Sequence, residues 1–326
     1  MTVALIERFR DRLPVSDATP VVSLGEGSTP LLRAPRLSER LGVDLWLKWE
    51  ASNPTGSYKD RGMTVAVSKA LEEGARAVIC ASTGNTSASA AAYAARAGLP
   101  AVVLVAEGAA RGKLIQARAL GARVLAVRGS FDQALETARR LSDRGDHVLV
   151  NSLNPNRVEG QKTAVFEIVE ELGGEPDAFV LPYGGGGNTT AYVKALSELG
   201  SGAAVHSVEA ADRPRTLASA IRIEQPAHGR SVEASGAHVH AVSDEDIVAA
   251  WLELARLEGL FCEPSSAAGL AFLRGTDELR GTRVVVTITG HGLKDPGAAD
   301  FHAPPPLVVD PDPDAIARAA ERDLSE

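Results

Sequence analysis

The sequence predicts an α/β protein made of two open αβα domains with mostly parallel sheets. Three observations predict it. Short apolar, β-rich runs alternate with helix-period segments along the chain, the pattern of parallel βα units. At 326 residues, with 44% hydrophobic and 23% charged residues, the chain is long enough for two cores. Aromatic residues are scarce at 4%, whereas alanine and glycine abound, a composition suited to helices packed closely on sheets.

The first strand, 44–50, places Leu45 and Leu47 at alternate positions, and the first helix, 60–73, carries Met63, Ala66, Val67, Ala70 and Leu71 at helical spacing. Strand 77–82 is a continuous apolar run. Helix 86–97 follows and stops at Gly98-Leu99-Pro100. Strand 101–106, helix 111–120, strand 123–127, helix 131–142 and strand 147–150 continue the alternation. Helix 157–172 stops at Gly173-Gly174-Glu175-Pro176. After it come strand 178–181, helix 190–199, strand 205–209, helices 244–258 and 265–273, strand 284–289 and helix 313–323. Residues 224–240 carry three histidines and weak periodicity, which reads as loop or a turn of helix. Ala303-Pro304-Pro305-Pro306 reads as a stiff connector. The closely spaced strands around 77–127 imply a small mobile domain over 55–150. Residues 1–54 and 151–326 then form the larger one.

A net charge of −8 with no basic run argues against a nucleic-acid face. No apolar run approaches the roughly 20 residues that span a bilayer, so no membrane partner is expected. Charge breaks the N-terminal segment too early for a secretory signal. Cys80 and Cys262 lie far apart inside apolar stretches, as reduced core residues of a cytoplasmic protein do.

Four turns carry the chemistry. In Asn53-Pro54-Thr55-Gly56-Ser57-Tyr58-Lys59-Asp60-Arg61-Gly62, a Pro/Gly turn delivers Lys59 to a helix start. Only seven lysines occur in the chain, and one falls in this placed turn; the alternative is a solvated surface lysine. In Leu181-Pro182-Tyr183-Gly184-Gly185-Gly186-Gly187-Asn188-Thr189-Thr190, four glycines between strand and helix let backbone N–H groups converge on a phosphate. The alternative is a flexible loop or tight helix–strand packing. Ser82-Thr83-Gly84-Asn85-Thr86-Ser87 offers hydroxyls, an amide and free N–H groups to a carboxylate, or else is a capped helix start. In the run from Asn151 to Thr163, Asn151, Ser152 and Arg157 are candidates to clamp a second anion, against the plain reading of a surface arginine. Thr289, at the end of the strand before Gly290-His291-Gly292, offers a neutral hydroxyl. An amine, a phosphate cradle and a carboxylate turn together suit pyridoxal 5′-phosphate held by Lys59, with an amino-acid substrate.

Together these motifs resemble the fold type II pyridoxal-phosphate enzymes, whose fold is that of the tryptophan synthase β subunit, and within them the threonine synthase family. The resemblance runs from Gly25-Glu26-Gly27-Ser28-Thr29-Pro30-Leu31 to Gly292-Leu293-Lys294-Asp295-Pro296 and includes Glu263-Pro264-Ser265-Ser266-Ala267-Ala268. It implies that Lys59 carries the cofactor and acts as the catalytic base, and that Gly184, Gly185, Gly186, Gly187 and Asn188 hold the cofactor phosphate. It puts Asn85 at the ring oxygen and Thr289 at the pyridine nitrogen. Ser82, Thr83, Asn85 and Thr86 would take the substrate carboxylate, and Asn151, Ser152 and Arg157 its phosphate. The implied reaction converts O-phospho-L-homoserine and water to L-threonine and phosphate, by γ-elimination and β-hydration in a homodimer. Three features depart from the family pattern: Tyr58 stands where Phe is common, the glycine loop is closer to that of the serine/threonine dehydratases, and residues 192–222 are fewer than usual. A dehydratase, a β-replacement enzyme and a non-catalytic binder of phosphorylated metabolites remain alternatives.

Overall fold

A computed structural model describes residues 3–108, 111–302 and 305–322. The chain opens with α1 (Leu5–Arg8), β1 (Leu31–Arg33), α2 (Pro35–Leu41) and β2 (Asp44–Trp49). Next come α3 (Lys59–Glu72), β3 (Ala77–Ala81), α4 (Asn85–Ala97), β4 (Ala101–Ala106) and α5 (Ile115–Ala119). They lead to β5 (Arg123–Val127), α6 (Phe131–Ser142), β6 (His147–Leu149), α7 (Pro155–Leu172), β7 (Ala178–Pro182), α8 (Gly187–Leu199) and β8 (Ala204–Ala210). The last elements are α9 (Gly229–Ala234), β9 (His238–Val242), α10 (Asp244–Glu258), α11 (Ala268–Arg274), β10 (Arg283–Ile288), α12 (Pro296–His302) and α13 (Pro313–Arg322).

These strands form two sheets. One has six strands in the order β1-β2-β10-β7-β8-β9, and the other has four in the order β5-β4-β3-β6. Pairing is parallel throughout except between β1 and β2. The strand period sorts side chains onto the two faces. In β10, Val284, Val286 and Ile288 join Leu45, Leu47 and Val180 under α10 and α11, with Trp251 and Leu270. Val285 faces the other way, toward Phe179, Leu181, Ile168 and Tyr192. In the smaller sheet, Val78, Cys80 and Val103 meet Met63, Ala66 and Tyr93 of α3 and α4, while Ile79 and Leu104 meet Ala134 and Ala138 of α6.

One crossing ties the two sheets' helices together. A Cβ placed on Gly160 of α7 would lie 2.0 Å from the Arg61 carbonyl oxygen of α3, and one on Gly62 would lie 2.6 Å from the Arg157 carbonyl oxygen. The two helices therefore touch backbone to backbone, which only glycine permits.

All eight expected strands form, with ends shifted by a residue or so. The structure adds β1, β9, α1, α2, α9 and α12. The segment 224–240, read as loop or a turn of helix, holds α9 and the start of β9. On that edge strand His238, Val239 and Ala241 are exposed, so the apolar alternation that announces a strand is absent. The expected helices at 111–120 and 265–273 both begin as tight 3₁₀ turns, Arg111–Leu114 and Pro264–Ala267. Ala303 and Pro304 of the expected connector, and Asp323 of the last expected helix, lie outside the described residues.

Candidate active site

Lys59 is the first residue of α3, and its turn is stitched to the end of β10. Tyr58 N–H donates to the Thr289 carbonyl at 3.0 Å, and His291 N–H donates to the Gly56 carbonyl at 2.9 Å. Ser57 and Gly290 form a β-bridge. The half-buried Lys59 Nζ donates to the Tyr58 hydroxyl at 2.6 Å and lies 4.3 Å from that ring's centre. The next residue, Asp60, is fully buried and accepts from Thr55 N–H (2.7 Å), Thr55 Oγ1 (2.6 Å) and Ser89 Oγ (2.6 Å). Burial pushes its carboxyl up to about 6, against the donors that hold it down.

Below this turn lies a buried ion network. Arg61 bonds Glu50 through Nε (2.8 Å) and Nη2 (2.8 Å), and Glu167 through Nη1 (2.8 Å) and Nη2 (2.6 Å). Lys48 Nζ approaches Glu167 to 3.2 Å. Burial works against the Arg61 charge, but the two glutamates outweigh it. The network joins β2, α3 and α7 and so fixes the axis along which Lys59 projects.

The 82–86 turn meets the β10 end through Glu263. Asn85 Nδ2 donates to both carboxyl oxygens of Glu263, at 2.9 and 3.1 Å, and Glu263 N–H donates to the Gly290 carbonyl at 3.0 Å. Burial raises the Glu263 carboxyl, while the Asn85 bond and Lys294 pull it down. Thr289 shares a hydroxyl hydrogen bond of 2.8 Å with Ser266. Helix α4 starts at Gly84 with no side-chain cap. Its first N–H groups thus face the turn that holds the half-buried Ser82, Thr83 and Thr86.

The glycine loop is built in the same way. Helix α8 starts behind Gly186, at φ +83°, again with no side-chain cap. Asn188 and Thr189, the first polar residues after the glycines, therefore do not cap this helix. A Cβ on Gly186 would meet His228 Cβ at 3.0 Å, and one on Gly187 would meet Ser152 Cβ at 3.3 Å. His228 closes the loop's outer side: its N–H donates to the Gly185 carbonyl at 3.0 Å, and its Nε2 lies 2.9 Å from the Ser152 carbonyl. Gly184 backs onto Ala220, whose N–H donates to Ser265 Oγ at 3.0 Å. Ser265 and Ser266 thus connect the glycine loop to Thr289. Asn188 is buried, and its Nδ2 has no hydrogen-bond partner among the described residues.

The run from Asn151 to Arg157 divides into different tasks. Asn151 spends its amide on the Ala81 backbone, accepting from N–H at 2.9 Å and donating to the carbonyl at 2.9 Å, which extends the β3–β6 pairing. Ser152 lies against Gly187. Arg157 is 0% exposed and donates Nη1 to the Val150 carbonyl at 2.7 Å. Its Nε and Nη2 have no hydrogen-bond partner among the described residues. Burial lowers its pKa, and Tyr58 and Asp60 are among the groups that counter it. The competing reading of a solvated surface arginine therefore fails: Arg157 is a buried cation beneath the Lys59 turn with two uncommitted donors.

A family profile described as "Pyridoxal-phosphate dependent enzyme" matches residues 22–290, the whole of both sheets up to Gly290. The chain belongs to the pyridoxal-phosphate-dependent enzymes. A threonine synthase from Mycobacterium tuberculosis is 50% identical over 336 residues, covering 94% of this chain and 93% of the relative. One from Halalkalibacterium halodurans is 47% identical over 320 residues, covering 90% of each. The cysteine synthase of Entamoeba histolytica superposes with a TM-score of 0.77 at 19% identity, over 90% of this chain and 96% of the other. That likeness shows the fold alone.

The residues of this pyridoxal-phosphate-dependent enzyme fit its cofactor. The uncapped α8 start and the glycine backbone suit a phosphate, Asn188 Nδ2 is an uncommitted donor beside them among the described residues, and the Lys59 turn presents an amine of the kind the cofactor needs. Sequence reasoning gave no role to Glu263, Ser266, His228, Glu50 or Glu167. Glu263 and Ser266 stand inside a quoted motif, but their partners are 178 and 23 positions away. No local pattern exposes such pairs.

Proposed function

We propose that the enzyme converts O-phospho-L-homoserine and water to L-threonine and phosphate. The observation that carries this substrate class is Arg157, a fully buried guanidinium whose Nε and Nη2 are unspent. An enzyme for unphosphorylated serine or threonine has no use for a buried, ion-unpaired guanidinium with uncommitted donors beneath the Lys59 turn. The 50% identical threonine synthase of Mycobacterium tuberculosis supports the same reading.

In this reading Gly184, Gly185, Gly186, Gly187 and Asn188 hold the cofactor phosphate, Asn85 orients the ring oxygen, and Thr289 faces the pyridine nitrogen. The bound cofactor supplies an electron sink for charge that develops at the substrate Cα. Ser82, Thr83, Asn85 and Thr86 bind the substrate carboxylate at the open start of α4. Arg157 and Ser152 bind its phosphate, and Asn151 positions Ser152 through the Ala81 backbone. Lys59 takes the Cα proton and returns protons to neighbouring carbons. A neutral hydroxyl at Thr289, bonded to Ser266, keeps the ring nitrogen less protonated than a carboxylate would, which favours elimination and replacement over transamination.

The same proposal takes residues 55–150 as a small mobile domain closing on 1–54 and 151–326. Two bridges across the cleft support it: Lys113 Nζ reaches Ser219 Oγ (2.6 Å) and Asp295 (2.8 Å), and Lys294 Nζ reaches the Thr55 carbonyl (3.0 Å) and Gln116 (2.5 Å). It also takes the enzyme as a cytoplasmic homodimer whose ligands are small molecules, consistent with two buried free cysteines.

Incubating the purified enzyme separately with O-phosphohomoserine, threonine and serine tests the reaction. Phosphate and threonine released only from the first is the expected result, and 2-oxo acid from the others would favour the dehydratase reading. Borohydride reduction followed by peptide mapping should label the Lys59 peptide. A label on Lys48 or Lys162 would overturn that assignment.

A further inference from the structure

Three of the chain's seven histidines meet at the far edge of the large sheet. His238 and His240 are two residues apart on β9 and so point to the same face. His206 pairs directly with His238 across the β8–β9 ladder. The His206 ring stacks on His238 and His240 with centroids 5.0 and 5.2 Å apart. Phe272 of α11 lies flat against His240 at 4.0 Å. His206 Nδ1 and His240 Nε2 are 3.0 Å apart. The loop after α11 brings Glu278 over the pair, and one ligand atom from each of His206, His240 and Glu278 lies within 4.8 Å of the others.

We propose that His206, His240 and Glu278 form a binding site for a divalent transition-metal ion, with Zn²⁺ the best match. Two imidazole nitrogens and one carboxylate oxygen are a borderline-soft donor set that suits zinc and disfavours calcium or magnesium. The electrostatics agree. Burial and the neighbouring His240 hold His206 down to about 4, and burial also lowers His240. Burial thus disfavours the second proton that would compete with a metal ion at either ring. The exposed carboxylate of Glu278 cancels one unit of the ion's charge and, because it is solvated, moves at little cost. Water completes the coordination.

The site is separate from the chemistry at Lys59. His206, His240 and Glu278 make no contact with the Lys59 turn, the glycine loop or the 82–86 turn among their described ring contacts and hydrogen bonds. A bound ion would clamp edge strand β9 to β8 and to the end of α11, so its signature is stability and not turnover.

Titrating the holoenzyme with Zn²⁺ by calorimetry, in a non-chelating buffer, tests the proposal. One ion per chain with saturable binding in roughly the micromolar range, and a melting temperature that rises with Zn²⁺, are expected. Glu278→Ala, an exposed change that leaves the core untouched, should weaken binding about tenfold or more and abolish the rise. His240→Phe keeps an aromatic ring on Phe272 and should remove binding altogether. Wild-type Zn²⁺ affinity in the Glu278→Ala protein, or no saturable binding by the wild type, overturns the proposal even if the His240 variant fails to fold.

Discussion

Replacing Gly160 by alanine tests the α3–α7 crossing on which the placement of Lys59 depends. The new Cβ would sit 2.0 Å from the Arg61 carbonyl oxygen, 2.7 Å from its carbon and 2.8 Å from Gly62 Cα. Carbon approaches a carbonyl oxygen no closer than about 3.3 Å, so the helices must part by roughly 1.3 Å. All three clashing atoms are backbone, so no rotamer change relieves them. Overpacking commonly costs up to about 3 kcal/mol, and a clash among backbone atoms alone falls at the top of that range. Alanine's better helix propensity returns about 1 kcal/mol. The expected net loss is therefore ~2 kcal/mol, which calorimetry of the holoenzyme should read as a melting point lower by roughly 4 °C. Activity should suffer more than stability. Arg61 sits two residues from Lys59, and a misplacement of about 1 Å at a reacting group costs on the order of 100-fold. A Gly160→Ala enzyme that melts at or above the wild-type temperature with unchanged kcat/KM would refute the reasoning, because propensity would then have outweighed contact.

Glu167→Gln breaks the buried Arg61 network and should destabilise the protein by about 3–5 kcal/mol at neutral pH, measured by urea unfolding. Burial raises the Glu167 carboxyl, but Arg61 and Lys48 outweigh it and hold it down to about 2. The wild-type advantage should thus be complete above the ordinary value of 4.5 and shrink as pH falls toward 2; a gap independent of pH would disprove the ionised pairing. Gly186→Val puts a Cβ 3.0 Å from His228 and 3.2 Å from Tyr183 at a positive φ, so dialysis should strip the cofactor faster than from the wild type. Equal retention would leave the loop with a packing role only. Arg157→Ala should lower kcat/KM for O-phosphohomoserine about 10- to 100-fold with the cofactor spectrum unchanged, and inorganic phosphate should inhibit it less. Wild-type kinetics in that variant would move the dehydratase alternative ahead.

What could be read from the sequence was local. The βα alternation, the Lys59 turn and the glycine loop each lie within about a dozen consecutive residues, and each appears where the pattern put it. Long-range partners were silent. Nothing near Asn85 announces Glu263, 178 positions on, and nothing near Arg61 announces Glu167, 106 positions on. Arg157 was legible as an anion binder by type but not as a buried one, because its burial comes from the glycine contact with α3. Strand β9 was missed because its histidines and exposed valine hide the period-2 signal of an edge.

The strand order also dictates when the larger sheet can exist during synthesis. β10 lies at its centre, between β2 and β7, yet it is the last strand in chain order among the described residues. Arg283 and Asp44, at one end of the β10–β2 pair, are 239 positions apart. At about 5–20 residues per second, a ribosome takes roughly 10–50 s to cover that span. Through that interval β2 shows an unpaired edge, while the smaller sheet is complete once β6 has emerged. The nascent protein therefore acquires its four-stranded half first, and its six-stranded half closes only when β10 slots between two waiting edges. Damage to β10 should consequently appear in cells as aggregated chain with the smaller sheet already formed, and not as soluble enzyme of low activity.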